Sequence, residues 1–397
     1  MGESALEGMK VLDLTRVLAG PYCSMMLADM GAEIIKVEMP GQGDDSRAFL
    51  PEGNGESAYY MNLNRNKKGI TLNLKQPKGR EIFLEFVKRS DILLENYRPG
   101  TMEKLGLGYD VIKEVNPSIV YGCVSGFGHY GPYSSRPGYD IIGQAMGGLM
   151  STSGWPGGEP TRTGTAIADV LGGMNLTIGV LAAYINAKRT GKGQKVDVAL
   201  VDSVVSSLEI INMIYLVTGR LPGRIGNRYE SAYPYDSFKA KDGSIVIGAA
   251  NNKLFGQLTK VMGMPELTED PRFKENKDRI ENHVELKRII EAWLADKTID
   301  GAVDAILRAG CPAAPINTID RVVEDPHIAC AREMFVECDH PKAGKMRIAG
   351  NPVKLSESKF KVRNPAPTLG QDNDEVFRQC LGISAQEMEE LKQEGVI

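Results

Sequence analysis

Short apolar segments alternate with amphipathic helical segments through the first half of the chain, and this alternation limits the fold more than any other feature. The segments typical of buried strands are MKVLDLT, AEIIKVEMP, GITLNLK, DILLENY and PSIVYGCVSGFG. Helical patterns lie between them in PYCSMMLADMG, KGREIFLEFVKRS and YDVIKEVN. Repeated strand–helix–strand units predict a parallel sheet covered by helices. We therefore expect an α/β fold.

The predicted strands also indicate where a ligand binds. Parallel sheets gather their ligands at the carboxyl ends of the strands. In this chain those ends fall at Thr15–Gly20, Glu38–Arg47, Asn96–Gly100 and Ser125–Gly131. We expect these four segments to contribute to the functional site.

The length of 397 residues suggests two or three domains. Residues 1–205 carry the strand–helix alternation and form the predicted large domain. The segment TGRLPGRIGNRYES is rich in glycine and arginine and lacks apolar periodicity, so we place a linker at residues 206–225. A hairpin pattern with a turn at Lys241-Asp242-Gly243, followed by helices, predicts a smaller α+β domain at 226–325. A second linker is expected at 326–345.

Composition and local motifs exclude several classes of function. The net charge of −4 and the pI of about 5.8 argue against nucleic acid and anionic membranes as partners. The six cysteines form no C-x-x-C pair and the four histidines show no metal-ligand spacing, so we predict neither a disulfide framework nor a metal. The N-terminal residues lack the layout of a secretory signal, and the apolar stretch Ala166–Ala187 contains polar residues and several glycines. We therefore expect a cytoplasmic protein without a membrane span.

Gly126, Gly128 and Gly131 match the G-x-G-x-x-G string of dinucleotide-binding proteins. That fingerprint opens a helix whose N-terminus holds the pyrophosphate. Here Pro132 and Tyr-Ser-Ser-Arg-Pro-Gly follow, which is typical of a loop, so we predict no nicotinamide cofactor. His129 lies in the same loop. No adjacent carboxylate, serine or cysteine partner is evident, and we interpret it as a loop histidine rather than a general base.

Asp169 stands at the polar start of the most apolar segment, in TRTGTAIADVLGGMNLTIG. An aspartate at such a place most often caps a helix. It can instead be a carboxylate nucleophile in apolar surroundings, with Gly172 and Gly173 one turn later leaving room for a bulky thioester. A carboxylate is a weak nucleophile, so this role requires accurate positioning and exclusion of water. The residues alone leave both interpretations open.

Basic residues cluster in the predicted large domain, mostly near strand ends. For any single one of them, a solvated surface position explains its presence. Taken together, Lys67, Lys75, Arg98 and Lys104 are candidate phosphate ligands, because lysine and arginine form charge-assisted hydrogen bonds with phosphates.

Longer strings in the chain resemble one family. They are LDLTRVLAGPYCSMMLADMGAEIIKVEMPGQGDDSR, NLNRNKKGITLNLKQPKGR, ENYRPGTMEKLGLGYD, VSGFGHYGP, YDIIGQAMGG, GTAIADVLGGM and RTGKGQKVDVAL. These strings resemble the class III CoA transferases, which include the formyl-CoA:oxalate and carnitine CoA transferases and the α-methylacyl-CoA racemases. The resemblance covers nearly the whole chain, and ENYRPGTMEKLG and SGFGHYGP look most like the acetyl-CoA:oxalate CoA transferases.

The resemblance implies a fold and a chemistry. It implies a Rossmann-like large domain whose parallel sheet is formed by both chain ends, so that residues 346–397 return to the large domain. It implies a homodimer of interlocked chains, with coenzyme A entering as an acyl-CoA co-substrate and with no metal or NAD. The implied reaction moves CoA to a small, oxalate- or succinate-like carboxylic acid through an aspartyl–CoA thioester, with Asp169 as the nucleophile.

The resemblance also implies positions that contact CoA. These are Leu18, Ala19, Leu72, Asn73, Leu74, Lys75, Asn96, Tyr97, Arg98, Lys104, Tyr139 and Asp140. Gly226, Asn227 and Arg228 are weaker candidates for contacting the substrate. The family's basic residue after the second strand is replaced by Met39, so Arg47 or Lys67 would have to supply that contact.

Two departures from the family pattern bear on function. Racemases of the family carry a His-Asp pair where this chain has Tyr139-Asp140, and without the histidine a two-base proton exchange lacks one partner. We therefore expect a CoA transferase, with an α-methylacyl-CoA racemase or epimerase as the alternative. The polyglycine loop that covers the acyl-enzyme in formyl-CoA transferases is replaced by GNRYESAYPYDSF, which requires a different lid.

Overall fold

Strands and helices alternate through the first 200 residues of the computed structural model, which describes residues 4–397. The strands are β1 (Lys10–Asp13), β2 (Glu33–Glu38), β3 (Glu52–Gly53), β4 (Glu56–Ser57), β5 (Lys67–Thr71), β6 (Ile92–Glu95), β7 (Val120–Ser125), β8 (Lys195–Ala199), β9 (Tyr235–Ala240), β10 (Gly243–Gly248), β11 (Ala313–Pro315), β12 (Phe335–His340) and β13 (Gly344–Ala349).

The helices follow the same chain order. They are α1 (Ala19–Asp29), α2 (Ala58–Asn64), α3 (Pro77–Val87), α4 (Thr101–Lys104), α5 (Tyr109–Val115), α6 (Asp140–Met146), α7 (Leu149–Thr152), α8 (Ile167–Thr190), α9 (Leu200–Ser207), α10 (Glu209–Thr218), α11 (Asn252–Val261), α12 (Asn276–Glu281), α13 (His283–Leu294), α14 (Ile299–Arg308), α15 (Ile319–Glu324), α16 (Asn373–Leu381) and α17 (Ala385–Gln393). Short 3₁₀ turns at Asp45–Ala48 and Pro265–Thr268 and a π-helical turn at Pro326–Ala331 complete the regular structure of the described residues.

Six parallel strands form the main sheet, in the spatial order β5–β2–β1–β6–β7–β8. The chain moves outward from β1 through β2 to β5 and then outward in the opposite direction from β6 to β8. A topological switch point therefore lies between β1 and β6, and open α/β sheets bind ligands at such points. The α/β class and the five strands predicted from the alternation are confirmed, and β8 adds a sixth strand to the sheet.

The expectation that both chain ends form the sheet needs correction in one respect. Both ends belong to one compact unit, but all six strands of the parallel sheet lie within residues 10–199. The C-terminal segment instead contributes the hairpin β12–β13 and the helices α16 and α17. Phe377 of α16 is buried and packs edge-on against Phe86, with ring centroids 5.7 Å apart. The end of the chain therefore covers the sheet rather than extending it.

Apolar side chains fill the space on both faces of the sheet, as uninterrupted apolar strands require. Val11 and Leu94 point into the same core as α1 and α8. Their neighbours Leu12 and Leu93 point into the opposite core, which includes residues of α3, α5 and α16. This two-sided burial fixes the carboxyl ends of β1, β6 and β7, from which the site residues project.

The structure divides into two compact units, and their boundaries differ from the predicted ones. The first unit comprises residues 4–149, 162–217 and 326–397, and the second comprises 150–161 and 218–325. Residues 150–161 join the second unit because Gly226 N–H donates to the Gly154 carbonyl at 2.9 Å and Arg224 donates to the Ser151 carbonyl at 3.3 Å. The segment 206–225, predicted as a linker, contains helix α10.

The second unit is a small α+β structure. Its antiparallel sheet has the order β11–β10–β9, and the predicted turn joins β9 to β10, with Ala240 paired to Gly243. Phe238 and Ile245 of this sheet pack against apolar residues of the surrounding helices, including Phe255 and Leu286. The hairpin predicted at Lys241-Asp242-Gly243 is confirmed.

Candidate active site

A cavity of about 400 Å³ opens at the switch point of the sheet. Its wall combines segments that follow β1, β6 and β7 with the start of α8, and all of its residues belong to the first unit. The lining residues are Arg16, Val17, Leu18, Ala19, Asp45, Asn96, Tyr97, Arg98, Pro99, Thr101, Val124, Ser125, Gly126, Arg136, Pro137, Gly138, Tyr139, Asp169 and Leu200. We call this the first cavity.

Asp169 is the third residue of α8, and it does not cap the helix. The N-cap position is Ala166, whose side chain supplies no hydrogen bond. Asp140 of α6 takes over the capping, because its Oδ1 accepts the Ala168 N–H at 2.9 Å while its Oδ2 accepts from Gln144 at 2.8 Å. Among residues 4–397 no hydrogen bond reaches the Asp169 carboxylate. The interpretation of Asp169 as an N-cap is therefore wrong, and the carboxylate is available to the first cavity.

The electrostatic surroundings of Asp169 disfavour its charged form. Burial raises the pKa of Asp169 to about 7, and the negative charge of Asp140 adds to the shift. Tyr59 lies within electrostatic range, since burial and then the charge of Asp169 raise the pKa of the Tyr59 phenol to about 12. A carboxyl group with a strongly shifted pKa in a cleft is a typical feature of a functional site.

Close packing of α8 against the start of α1 places Asp169 beside Leu18 and Ala19. A Cβ at Gly173 would lie 2.5 Å from the Ala19 carbonyl oxygen, and a Cβ at Gly172 would lie 2.6 Å from a Leu200 methyl group. Both glycines are buried. They make room for neighbouring parts of the protein and not, as the sequence suggested, for a bound thioester.

A second cavity, of about 270 Å³, lies next to the first. Leu72, Leu74 and Lys75 of the segment after β5 line it. Arg16, Tyr97 and Thr101 line both cavities, so the two spaces share a wall. Among the lining residues of the second cavity, Lys75 is an exposed cation that can meet an anionic group.

The structure brings most of the candidate residues to these two cavities. Leu18, Ala19, Asn96, Tyr97, Arg98, Tyr139 and Asp169 line the first, and Leu72, Leu74, Lys75 and Tyr97 line the second. Asn73 and Lys104 line neither: the Asn73 amide donates to the Gly395 carbonyl at 3.3 Å, and Lys104 ends α4 on the exposed surface. Asp140 is not among the lining residues, but its carboxylate accepts the Ala168 N–H and its charge helps to raise the pKa of Asp169.

The three weaker substrate candidates belong to the second unit. Gly226 packs against the Trp155 ring, where a Cβ would lie 2.5 Å from the indole. The Asn227 amide donates to the Ser237 hydroxyl at 3.0 Å. Arg228 is partly buried. Their role toward a substrate stays a prediction.

The prediction that Lys67 binds phosphate is wrong. Its side chain is fully buried, and its ammonium group donates to Asp13 at 3.2 Å, to Ser24 at 2.7 Å and to Asn64 at 2.9 Å. Arg47 was the other candidate to supply the contact that the family's basic residue makes and that Met39 cannot make. It forms a two-point pair with Glu38 at 2.8 and 2.7 Å. Both cations are paired within the fold, because a buried charge requires a partner and hydrogen bonds.

His129 also differs from its prediction, because polar partners do surround it. Its Nε2 lies 3.6 Å from Glu95, and its Nδ1 lies 3.0 Å from the Lys195 ammonium group. Glu95, Cys123 and His129 place their ligand atoms within 4.8 Å of one another. However, burial lowers the pKa of His129, and the Lys195 cation lowers it further. Burial also strongly raises the pKa of the Cys123 thiol. A nearby cation and a protonated thiol are poor surroundings for a metal ion.

Sequence reasoning missed several residues of the first cavity. Arg16 and Val17 follow β1, Ser125 ends β7, and Arg136 precedes the Tyr139-Asp140 pair. Arg16, Val17 and Ser125 lie in the strand-end segments that we expected to contribute to the site, but none of the three was singled out as a site residue. Leu200 gave no signal, because it reaches the cavity from the start of α9. The Asp169 carboxylate, which receives no hydrogen bond from residues 4–397, lies in a cavity at the switch point of the sheet, where α/β proteins bind ligands and where a carboxylate can act as a nucleophile.

Comparison with known proteins gives the family. The model of CoA-transferase family III matches residues 6–373. Human succinyl-CoA:glutarate CoA-transferase is 39% identical over 393 residues, which cover 99% of this chain and 90% of the relative. Acetyl-CoA:oxalate CoA-transferase of Acetobacter aceti is 42% identical over 351 residues, covering 88% of this chain and 89% of the relative. A CaiB/BaiF family protein of Brucella suis has a crystal structure that superposes with a TM-score of 0.84 at 35% identity, covering 96% of this chain and 100% of that one.

The chain therefore belongs to CoA-transferase family III, and it is an enzyme. Enzymes of this family use CoA thioesters as co-substrates.

Proposed function

We propose that this enzyme moves CoA from an acyl-CoA to a small dicarboxylic acid through an aspartyl–CoA thioester on Asp169. The observation that carries the proposal is the Asp169 carboxylate, which lines the first cavity and receives no hydrogen bond from residues 4–397. Relatives named for oxalate, glutarate, D-citramalate and mesaconate support a dicarboxylic acceptor.

The two cavities suit the two ends of an acyl-CoA. The nucleotide end would occupy the second cavity, where Lys75 offers a cation to a phosphate and Leu72 and Leu74 offer apolar contact. The pantetheine arm would pass Tyr97 and bring the thioester to Asp169 in the first cavity. Contacts far from the reacting atoms hold the free thiolate in place between the two halves of the reaction.

The reaction then proceeds through two mixed anhydrides. The ionised Asp169 attacks the thioester carbonyl, and the C–S bond breaks. CoA departs as a thiolate, and a mixed anhydride of Asp169 and the donor acid remains. The thiolate attacks the aspartyl carbonyl and releases the donor acid as a carboxylate. The acceptor carboxylate next attacks the aspartyl–CoA thioester and displaces the thiolate. The thiolate attacks the acceptor's acyl carbon, and Asp169 is regenerated as a carboxylate.

The start of α1 is the candidate for stabilising the tetrahedral oxyanions. Leu18 and Ala19 line the first cavity at the N-terminus of an eleven-residue helix, and within residues 4–397 no side chain caps that end. The first N–H groups of a helix have no partner within the helix and carry partial positive charge. Donors of this kind stabilise the charge that develops on an attacked carbonyl oxygen.

We also propose a homodimer. Exposed apolar side chains follow the outer faces of two helices of the first unit, with Met174, Ile178 and Ile185 on α8 and Leu216 and Val217 on α10. Helix α8 has a length and composition that also suit a membrane span, but its other side contributes Leu176 and Val180 to the core over the sheet. A second copy of the chain is the occupant that fits an enzyme of this fold, because large exposed apolar patches mark association surfaces.

A reducing compartment suits the cysteines. All six are free, and Cys23, Cys123, Cys311 and Cys338 are buried. Free buried thiols are typical of intracellular proteins, where disulfides are rare. We propose the cytoplasm on this basis.

A matrix of acyl-CoA donors and free acids tests the proposed reaction. Succinyl-CoA and acetyl-CoA would be incubated separately with oxalate, glutarate and succinate, and the products followed by mass spectrometry. We expect a new thioester of at least one acid, and a loss of about a thousandfold or more in D169A. A folded D169A with nearly the parent rate would overturn the proposal. Deuterium uptake at C2 of a branched acyl-CoA without acid exchange would favour the racemase.

A further inference from the structure

The turn between β1 and α1 contains a residue in an unusual conformation. Val17 has a φ of +67°, in the left-handed region that non-glycine residues seldom adopt. A β-branched side chain is especially unfavourable there. Arg16, Val17, Leu18 and Ala19 all line the first cavity with Asp169. The strained residue thus lies immediately before the helix start that faces the nucleophile.

A buried ion pair holds Val17 in this conformation. The Val17 N–H donates to both carboxylate oxygens of Asp44, at 3.1 and 3.3 Å. The Lys36 ammonium group donates to Asp44 at 2.9 Å and to the Thr15 carbonyl at 2.8 Å. The side chains of Lys36 and Asp44 are both fully buried. The pair therefore holds the turn at both Thr15 and Val17.

Other contacts restrain the residues on either side of Val17. The Asn96 amide holds the backbone of Arg16 from both sides, accepting its N–H at 2.8 Å and donating to its carbonyl at 2.7 Å. Gly20 lies so close to Thr15 that a Cβ would approach the threonine Cβ to 2.3 Å. Asp44 itself is fixed, since its N–H donates to Glu38 at 2.9 Å and its Oδ1 accepts from Ser46. Within residues 4–397, Asp44 is the only side chain that contacts the Val17 N–H.

We propose that Asp44, neutralised by Lys36, is a positioning residue that keeps Val17 in the left-handed conformation and so aims the start of α1 at Asp169. The inference rests on the proposed function and deepens it. Without Asp44, Val17 relaxes toward negative φ, and Leu18 and Ala19 turn away from the reacting carbonyl. The population of the aligned state then falls by about tenfold, the factor expected for the strain of one left-handed residue.

Asp44 also lines the second cavity, so positioning must be distinguished from cofactor binding. A residue that positions the reacting centre affects kcat and leaves the KM for acyl-CoA nearly unchanged. A residue that binds the nucleotide end raises KM instead. Glycine provides a further distinction, because it adopts a φ near +67° without strain.

The experiment compares D44N, V17G and the double variant D44N/V17G with the parent enzyme. The asparagine cannot offer two anionic oxygens to Val17 and Lys36 at once. We expect kcat to fall about tenfold in D44N with KM for acyl-CoA within about threefold, and to recover to within about threefold of the parent in D44N/V17G. Should D44N fail to fold because Lys36 is left unpaired, the same comparison is made in K36M/D44N with and without V17G.

D29N is the matched control. Asp29 is a buried carboxylate paired with a buried arginine, Arg65, at 2.6 Å, and it ends the same helix that Val17 precedes. We expect D29N to lower thermal stability while kcat stays within about twofold.

Hydrogen exchange of the peptide covering residues 15–20 provides a readout that does not depend on activity. It should accelerate in D44N and not in D29N. An unchanged kcat in folded D44N, a loss of kcat that V17G does not restore, or an effect on KM alone would overturn the inference. A parent enzyme that transfers no CoA would overturn the proposed function instead, and the exchange result would still decide whether Asp44 holds the turn.

Discussion

In the proposed reaction, Asp169 must meet two opposing requirements. It has to be ionised to attack a thioester, yet it lies in a partly apolar wall where burial and Asp140 raise its pKa to about 7. A carboxylate that water and hydrogen bonds do not stabilise is a better nucleophile than a solvated one. The raised pKa is therefore the energetic consequence of placing a reactive carboxylate in this cavity.

The first prediction concerns stability. Because the folded-state pKa of Asp169 lies above its ordinary value of 3.8, the contribution of this residue to stability is full below about pH 3.8 and is lost as the pH rises to about 7. The neutral variant D169N does not lose it. We expect the free energy of unfolding of D169N, relative to that of the parent, to rise by about 2 kcal/mol between pH 5 and pH 8 when both are measured by urea denaturation. A difference that does not change with pH would contradict the shifted pKa.

The second prediction concerns rate. The proposed transfer requires ionised Asp169, so kcat/KM for acyl-CoA should fall with a slope of one as the pH drops below about 7. Replacing Asp140 removes the neighbouring charge, while the asparagine oxygen can still accept the Ala168 N–H. We expect D140N to move the midpoint to lower pH by about 0.5 to 1 unit. An unmoved midpoint would mean that another group controls the profile.

Residue-level prediction from the sequence reached the carboxylate of the first cavity but not the long-range partners of the charged residues. Asp169 was located through its family string, whereas its capping alternative failed because Asp140, 28 residues before Ala168, supplies the cap. Lys67 was assigned to phosphate because nothing local shows that Asp13, 54 residues earlier, neutralises it. Long-range partners decide whether a charged residue is exposed or buried, and a single sequence does not reveal them.

At the scale of elements, the site depends on how closely α8 approaches α1. The Ala19 carbonyl occupies the space where a side chain at Gly173 would begin. The apolar stretch Ala166–Ala187 lies almost entirely within the long helix α8, Ile167–Thr190. The crossing of α8 with α1 was not predictable, because the pattern that marks a buried face does not say which element covers it.

G173A tests this contact. The added methyl group must displace the Ala19 backbone, so we expect a loss of stability of about 1–3 kcal/mol and a larger fall in kcat than in the folded fraction. G179A on the same helix is the control, because a Cβ there meets the Val196 side chain and no backbone, and alanine favours the helix. Thermal unfolding and kcat measured in parallel decide the matter. Equal effects of the two substitutions would contradict the role of the contact.

At the scale of the whole molecule, the exposed faces of α8 and α10 are the basis for the proposed homodimer. The α/β class and the smaller α+β unit followed from sequence periodicity, but assembly leaves no comparable local signal. Ile178 of α8 and Leu216 of α10 are 66% and 72% exposed, and several large apolar side chains exposed on helices of one unit indicate an association surface.

The predicted assembly is a dimer of twice the 43.3 kDa chain mass, measured by sedimentation equilibrium. We expect I178E and L216E to yield monomer, aggregate or little folded protein. A substitution in the second unit, V284E, changes another exposed apolar residue, 55% exposed, and serves as the control that should sediment like the parent. A parent enzyme that sediments as a monomer at micromolar concentration would remove the basis for the dimer.

Direct capture of the covalent intermediate tests the central claim. The enzyme would be mixed with succinyl-CoA or acetyl-CoA, whichever the donor matrix identifies, without an acceptor acid. It would then be quenched in acid, digested and examined by mass spectrometry. The account predicts CoA attached to the peptide that contains Asp169, its conversion to a hydroxamate by hydroxylamine, and its absence in D169N. Turnover with no adduct at Asp169, or with an adduct on another residue, would contradict it.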